Sequence, residues 1–195
     1  GHRIIGQHEI KVTGFDDYRK KLAKNHVLID PTERKGKIRT AIETFEKRHH
    51  ATVIQDEALL DEVTHLVETP LVVEGEFDGK FLDIPEEVLI TSMKEHQKYF
   101  AARGRDGQLL PRFLAVASMD ADREGNIRLG NERVLAARLY DARFFWDEDR
   151  KRALADRFEK LERQVFQTDL GSYADKIERM VTIGKQFAGT LGVNA

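Results

Sequence analysis

"KYFAARGRDGQLLPRFLAVAS" (residues 98–118) holds the pattern on which the fold turns. Two apolar runs, "KYFAAR" and "LLPRFLAVAS", flank Asp106-Gly107. An Asp-Gly pair between apolar runs is a strong turn signal, so the stretch predicts strand, turn, strand. Pro111 has no N–H to give to a ladder, and it predicts either an edge strand or a bulge.

Working toward the N-terminus, "FLDIPEEVLITSMKEHQKYF" (81–100) predicts a helix opened by Pro85, with Val88, Leu89 and Met93 on one face. Its second half is unusual. Lys94, Glu95, His96, Gln97 and Lys98 stand in an unbroken polar run, directly followed by Tyr99 and Phe100. Further back, "PLVVEGEF" (70–77) is strand-like, and Asp78-Gly79 predicts a hairpin turn. Asp56 predicts the cap of a helix carrying Leu59, Leu60, Val63, Leu66 and Val67, and "ATVI" (51–54) a strand before it. Asp30-Pro31-Thr32-Glu33 is a helix start, with Ile38, Ala41, Ile42 and Phe45 as the buried stripe. "HEIKVTG" (8–14) and "HVLID" (26–30) predict strands, and Phe15, Tyr18 and Leu22 a helix between them.

Toward the C-terminus the character changes near Asn126. Leu135, Leu139, Ala142 and Trp146 follow helical spacing. Leu154, Phe158, Leu161 and Val165 repeat it, and Ile177, Met180, Val181, Gly184 and Phe187 repeat it again. Leu170-Gly171-Ser172 predicts a stop and a cap between the last two. The expected fold class is α+β: a mixed module over 1–122, then an all-helical segment over 123–195.

The chain has 195 residues, 41% of them hydrophobic and 34% charged, which places it among globular proteins and not disordered ones. No apolar run reaches the roughly 18 residues that span a membrane. The chain has no cysteine, which excludes disulfides, thiolate zinc sites and thiol nucleophiles. "GHRIIGQHEI" has neither an initiating Met nor the layout of a signal peptide, and reads as the interior of a longer chain.

The net charge of −2 hides strong segregation. Residues 1–50 carry 12 Lys and Arg against 7 Asp and Glu, and residues 56–87 carry one Lys against 11 acids. Residues 123–152 carry 8 against 6. A nucleic acid would avoid the acidic block and meet its flanks. The other reading is that all three blocks are solvated helix faces.

No phosphate-binding glycine loop and no HExxH motif is present. Glu62 and His65 share a helix face, but a di-iron bundle needs two such pairs and further carboxylates. A surface histidine explains the pair more simply. His49-His50 falls at a helix end, where a cation suits the dipole. In "GNERVLAARLYDARFFWDEDRKR" (130–152), Arg133, Arg138 and Arg143 recur every fifth residue, so they wind round a helix and do not line one face. Arg138 and Asp141 can pair at i, i+3. These arginines read as ion-paired surface or as phosphate contacts.

"EGEFDGKFLDIPEEVLITSMKEHQKYF", "LLPRFLAVAS", "GNERVLAARLYDARFFWDEDRK" and "LERQVFQTDLGSYADKIERM" closely resemble the beta subunit of bacterial glycyl-tRNA synthetase. The resemblance runs continuously from about Glu74 to Met180 and more loosely before it. It implies a cytoplasmic ligase of two alpha and two beta subunits that attaches glycine to tRNA at the expense of ATP, with no membrane partner. It further implies that the alpha subunit holds the catalytic core and that the beta subunit is needed for tRNA. This chain would be an internal piece, a mixed module followed by the start of an HD-like helical domain. The resemblance assigns no catalytic, cofactor-binding or metal-binding residue to it. The expected role is tRNA binding and subunit assembly, with Lys94, Lys98, Arg133, Arg138 and Arg143 as candidate tRNA-backbone contacts. The alternatives are an editing or HD-type hydrolytic module, or a structural spacer. For the polar run, the choice lies between a helix end and an RNA or protein contact.

Overall fold

The computed structural model describes residues 1–193 and divides into two compact units, Gly1–Phe144 and Phe145–Ala195. The first unit is built on a four-stranded antiparallel sheet in the order β1-β3-β4-β2. The strands are β1 (Thr52–Val53), β2 (Pro70–Glu76), β3 (Phe100–Arg103) and β4 (Leu109–Ser118). β3 and β4 form the expected hairpin, with Gly107 at φ 78° in the turn. β4 is not an edge, because it pairs with β3 on one side and β2 on the other. Pro111 sits instead in a bulge: the register steps from Ala101↔Phe113 to Arg103↔Leu109, and the Pro111 carbonyl accepts from Phe77 N.

Alternation along these strands divides the core between the two faces of the sheet. Phe100, Ala102, Leu114 and Val116 meet α2 (Pro31–His49) and α3 (Glu57–Leu66), which contribute Ile38, Ile42, Phe45, Leu59, Leu60 and Val63. The opposite face carries Val73, Gly75, Ala101, Phe113 and Ala115, with Tyr99 stacked on Phe113 at 4.6 Å between ring centres. The helix starts follow the sequence: Asp30 accepts from Thr32 N, and Asp56 from Leu59 N. Leu66 faces solvent.

Several expected elements are absent or different. Segments 8–14 and 26–30 are not strands. Several of their carbonyls find side chains, not a ladder: Lys21 Nζ donates to Lys11 O, and Arg34 donates to the carbonyls of Leu28 and Ile29. Asp78-Gly79 is not a hairpin turn. Asp78 accepts from Lys80 N and opens a 3-10 helix, Gly79–Asp83, because the partner of β2 is the distant β4. The helix expected over 85–97 is α4 (Glu86–Thr91), continued by a π-turn, Ser92–His96.

α5 (Asn126–Arg150) begins on the Asp122 carboxylate, which accepts from Ile127 N and Arg128 N. Leu135 and Leu139 are fully buried. Asn131 accepts from the Tyr99 hydroxyl. Burial pushes the Tyr99 phenol up to about 12. Because the folded value exceeds that of an exposed tyrosine, about 10, this contribution to stability is complete below that pH and lost as pH rises through the folded value. Tyr99→Phe is expected to abolish this part of the alkaline loss, read as a urea midpoint that falls less than the parent's between about pH 10 and about pH 12.

The second unit holds a 3-10 helix (Leu154–Arg163), a two-stranded hairpin of β5 (Val165–Gln167) and β6 (Gly171–Ser172), and α6 (Tyr173–Leu191). The second expected α-helix is thus 3-10, and its Val165 belongs to a strand. Ser172 and Asp175 close a capping box at the start of α6, and Gly171 takes φ 80° just before it. Phe166 and Tyr173 meet edge to face at 5.4 Å, with Lys176 Nζ 4.1 Å above the Phe166 ring.

Candidate nucleic-acid interface

The polar run 94–98 is a helix end of unusual width. Gln97 N donates toward Lys94 O and Met93 O, Lys98 N to Lys94 O at 3.1 Å, and Tyr99 N to Met93 O at 3.0 Å. This closure resembles an αL cap, with its outer bond widened to match the π-turn. Lys98 supplies the reversal with φ 58°, a costly conformation for a side chain other than glycine. The reversal sends Tyr99 and Phe100 straight into the core, where both are buried. Backbone N–H groups, and not the polar side chains, satisfy the last carbonyls.

The lysine side chains turn to α3. Lys94 Nζ lies 2.6 Å from Asp56 Oδ2, and Lys98 Nζ 3.0 Å from Glu62 Oε1. The hydrogen bond that Lys94 donates to Asp56 raises the Lys94 pKa. The same bond, followed by Leu59 N, holds the Asp56 carboxyl below the usual range. Asp56 therefore caps α3 and clasps the π-turn at once. Its contribution is present above the unfolded carboxylate pKa, about 4, and is lost as pH falls through the lower folded value. Asp56→Ala is expected to cost about 1 kcal/mol or somewhat more, and Asp56→Asn, which keeps the cap but loses the charge pair, less. Urea midpoints near pH 7 and near pH 3 check both the cost and its decline in acid.

Of the arginine candidates, Arg143 donates to Lys80 O at 3.0 Å and approaches Asp83 at 4.0 Å. Arg138 approaches Asp141 at 3.9 Å, as i, i+3 spacing allows. Arg133 is exposed and has no hydrogen bond or ion pair among the described residues. The structure thus does not gather the five candidates into one patch of free charge. Glu62 is engaged by Lys98, and His65 donates from Nδ1 to Asp61 O.

Folding also joins the charge blocks that the sequence keeps apart. Lys35 pairs with Glu57 and Asp61, Arg39 with Glu57, and Arg48 and His49 with Glu74. Within the acidic block, Glu86 takes Arg103 bidentately and Glu76 takes Arg112. The unpaired part of the basic block includes Arg19, Lys20 and Lys24 of α1 (Phe15–Lys24), together with Arg3, Lys11, Lys37 and Lys47; none of these side chains has a hydrogen bond or ion pair among the described residues. Sequence reasoning did not single out the three on α1. The positive balance of residues 1–50 was the available signal, but pairing across the fold decides which of its charges stay free.

The family model described as glycyl-tRNA synthetase beta subunit matches residues 1–195. The chain belongs to that family. It is 44% identical over 188 residues to the glycine–tRNA ligase beta subunit of Bacillus subtilis, covering 96% of this chain and 28% of that protein. It is 44% identical over 195 residues to that of Streptococcus gordonii, covering 100% and 29%. To a Streptococcus pneumoniae beta subunit it is 45% identical over 179 residues, covering 92% and 26%. The chain thus spans less than a third of the length of these curated relatives. Their subunit name implies an alpha partner in those proteins. Among the described residues, no helix is long and apolar enough to cross a membrane.

Proposed function

We propose that this chain is a tRNA-contacting and assembly part of a glycine–tRNA ligase beta subunit, working with an alpha subunit in a cytoplasmic two-alpha, two-beta enzyme. The family match along the whole chain supplies the context. The observation that carries the RNA contact is Arg133, an exposed guanidinium on a helix anchored by buried Leu135 and Leu139, with its donors uncommitted among the described residues. An uncommitted guanidinium on an anchored helix suits a phosphate. Arg138 and Arg143 add charge to the same helix.

Catalysis is assigned elsewhere. The free amides of a helix N-terminus are one common phosphate cradle, and those of α2, α3, α5 and α6 are already closed by Asp30, Asp56, Asp122 and Ser172 with Asp175, while α1 and α4 have no side-chain cap. The chain alone is expected to show no glycine-dependent ATP–pyrophosphate exchange, and any such exchange by the pure chain refutes this part. The spacer reading is favoured at one place, the π-turn, because Lys94 and Lys98 are engaged by Asp56 and Glu62.

The test is Arg133→Gln in the two-subunit enzyme, with tRNA affinity measured at two salt concentrations. The variant is expected to weaken binding and to flatten the salt slope by about one unit. Lys94→Ala with Lys98→Ala is expected to change the slope less. Parental affinity and slope in the Arg133 variant would remove the RNA reading of α5.

A further inference from the structure

We infer that α1 is a docking helix for single-stranded RNA, with phosphates held by Arg19, Lys20 and Lys24 and a base or ribose stacked on Phe15. This surface is separate from α5, and it rests on the reading above only for the choice of RNA as partner.

α1 has 10 residues, and none of them is buried. A helix this short is marginal on its own, so something other than apolar burial holds it. The structure shows polar tethers. Asp17 accepts from Thr13 N, Lys21 Nζ donates to Lys11 O, and Asn25, just past the helix, accepts from Gln7 N through its side chain. Asn25 O also accepts from His2 N, and buried His2 bonds Ser118 O through Nε2 at 2.9 Å. The helix is tied to the N-terminal segment, which reaches the sheet through His2, and its outer rows are left open.

That open side has a definite composition. Phe15, Arg19 and Ala23 form one i, i+4, i+8 row, and Asp16, Lys20 and Lys24 form the next; all six are exposed. Phe15 is 73% exposed, and Tyr18 beside it is 41% exposed. The three cations have no hydrogen bond or ion pair among the described residues, while Asp30 feels Arg19 only at a distance. Asp16 is the one acid in the two rows, and Asp17 is occupied by Lys21 and Thr13. Free cations interleaved with an exposed aromatic ring are what a single strand requires: phosphate neutralisation by charge and a flat face for an unpaired base. An acidic protein would use the charge but has no need of the ring.

The test uses this chain and a labelled, unstructured RNA oligonucleotide of about 12 nucleotides, titrated from about 50 mM to about 200 mM salt. Arg19→Gln, Lys20→Gln and Lys24→Gln together are expected to flatten the salt slope by about two units, since each phosphate contact on a single strand contributes roughly 0.7. Phe15→Ala is expected to weaken binding about fivefold or more at every salt concentration without changing the slope. Both variants should melt with the parent, because α1 buries no side chain. An unchanged slope in the triple variant overturns the inference while leaving α5 standing. Equal competition by a polyglutamate peptide overturns it in favour of an acidic protein, and failure of the parent to bind the oligonucleotide overturns it while leaving α5 to its own test.

Discussion

Phe113→Ala is expected to cost about 3–5 kcal/mol, the range for removing a fully buried aromatic ring. Phe113 is completely buried in the central strand. One side of its ring stacks on Tyr99 with planes 19° apart, and the ring also covers Gly75 on the edge strand β2. Truncation would open a cavity between three elements at once, and no nearby loop can fill it. The loss is a large share of the 5–15 kcal/mol that ordinarily holds a domain together. Urea unfolding should show a much lower midpoint at an unchanged slope. Phe113→Leu, which keeps much of the volume, should lose less. A midpoint shift worth under about 1 kcal/mol would mean that the ring is not a core element.

Gly75→Ala is expected to destabilise by about 1–3 kcal/mol, toward the upper end. General strand propensity gives the opposite sign, because glycine in a strand is worse than alanine by roughly 0.5–1 kcal/mol. Here the contact decides. A Cβ at position 75 would stand 2.3 Å from Phe113 Cζ and 2.6 Å from a second ring atom. The two residues are direct cross-strand partners, and the ring takes the place of the missing side chain. Tyr99 stacked on the ring limits its retreat. The double variant Gly75→Ala with Phe113→Leu should therefore cost less than the sum of its parts by about 0.5–3 kcal/mol, measured as a double-mutant cycle. Strict additivity would show that the clash is relieved without the ring.

Much of this architecture was legible in order along the chain. Asp30 and Asp56 capped helices as their type and position required, and the Asp106-Gly107 turn joined β3 to β4. The failures share a cause. "HEIKVTG" and "HVLID" have strand composition but form no ladder; Lys21 and Arg34 take carbonyls in them instead. Asp78-Gly79 has hairpin chemistry, yet β2 pairs with a strand that comes more than thirty residues later. Of the candidate site, the residue types were legible and their availability was not. Lys94 and Lys98 meet Asp56 and Glu62 from distant sequence, while Arg19, Lys20 and Lys24 of α1 meet no acid among the described residues.

The sequence by itself determined the helix starts, the β3–β4 turn, the α+β class and the family, because local backbone chemistry and long ordered motifs are properties of neighbouring residues. The tertiary structure alone decided three things. Pro111 became a bulge in a central strand, Gly75 became the floor under a phenylalanine ring, and the segregated charges became pairs with a free remainder that includes three cations of α1. Each depends on which distant groups come within about 4 Å, the range over which contacts and ion pairs act, and local sequence does not encode that distance.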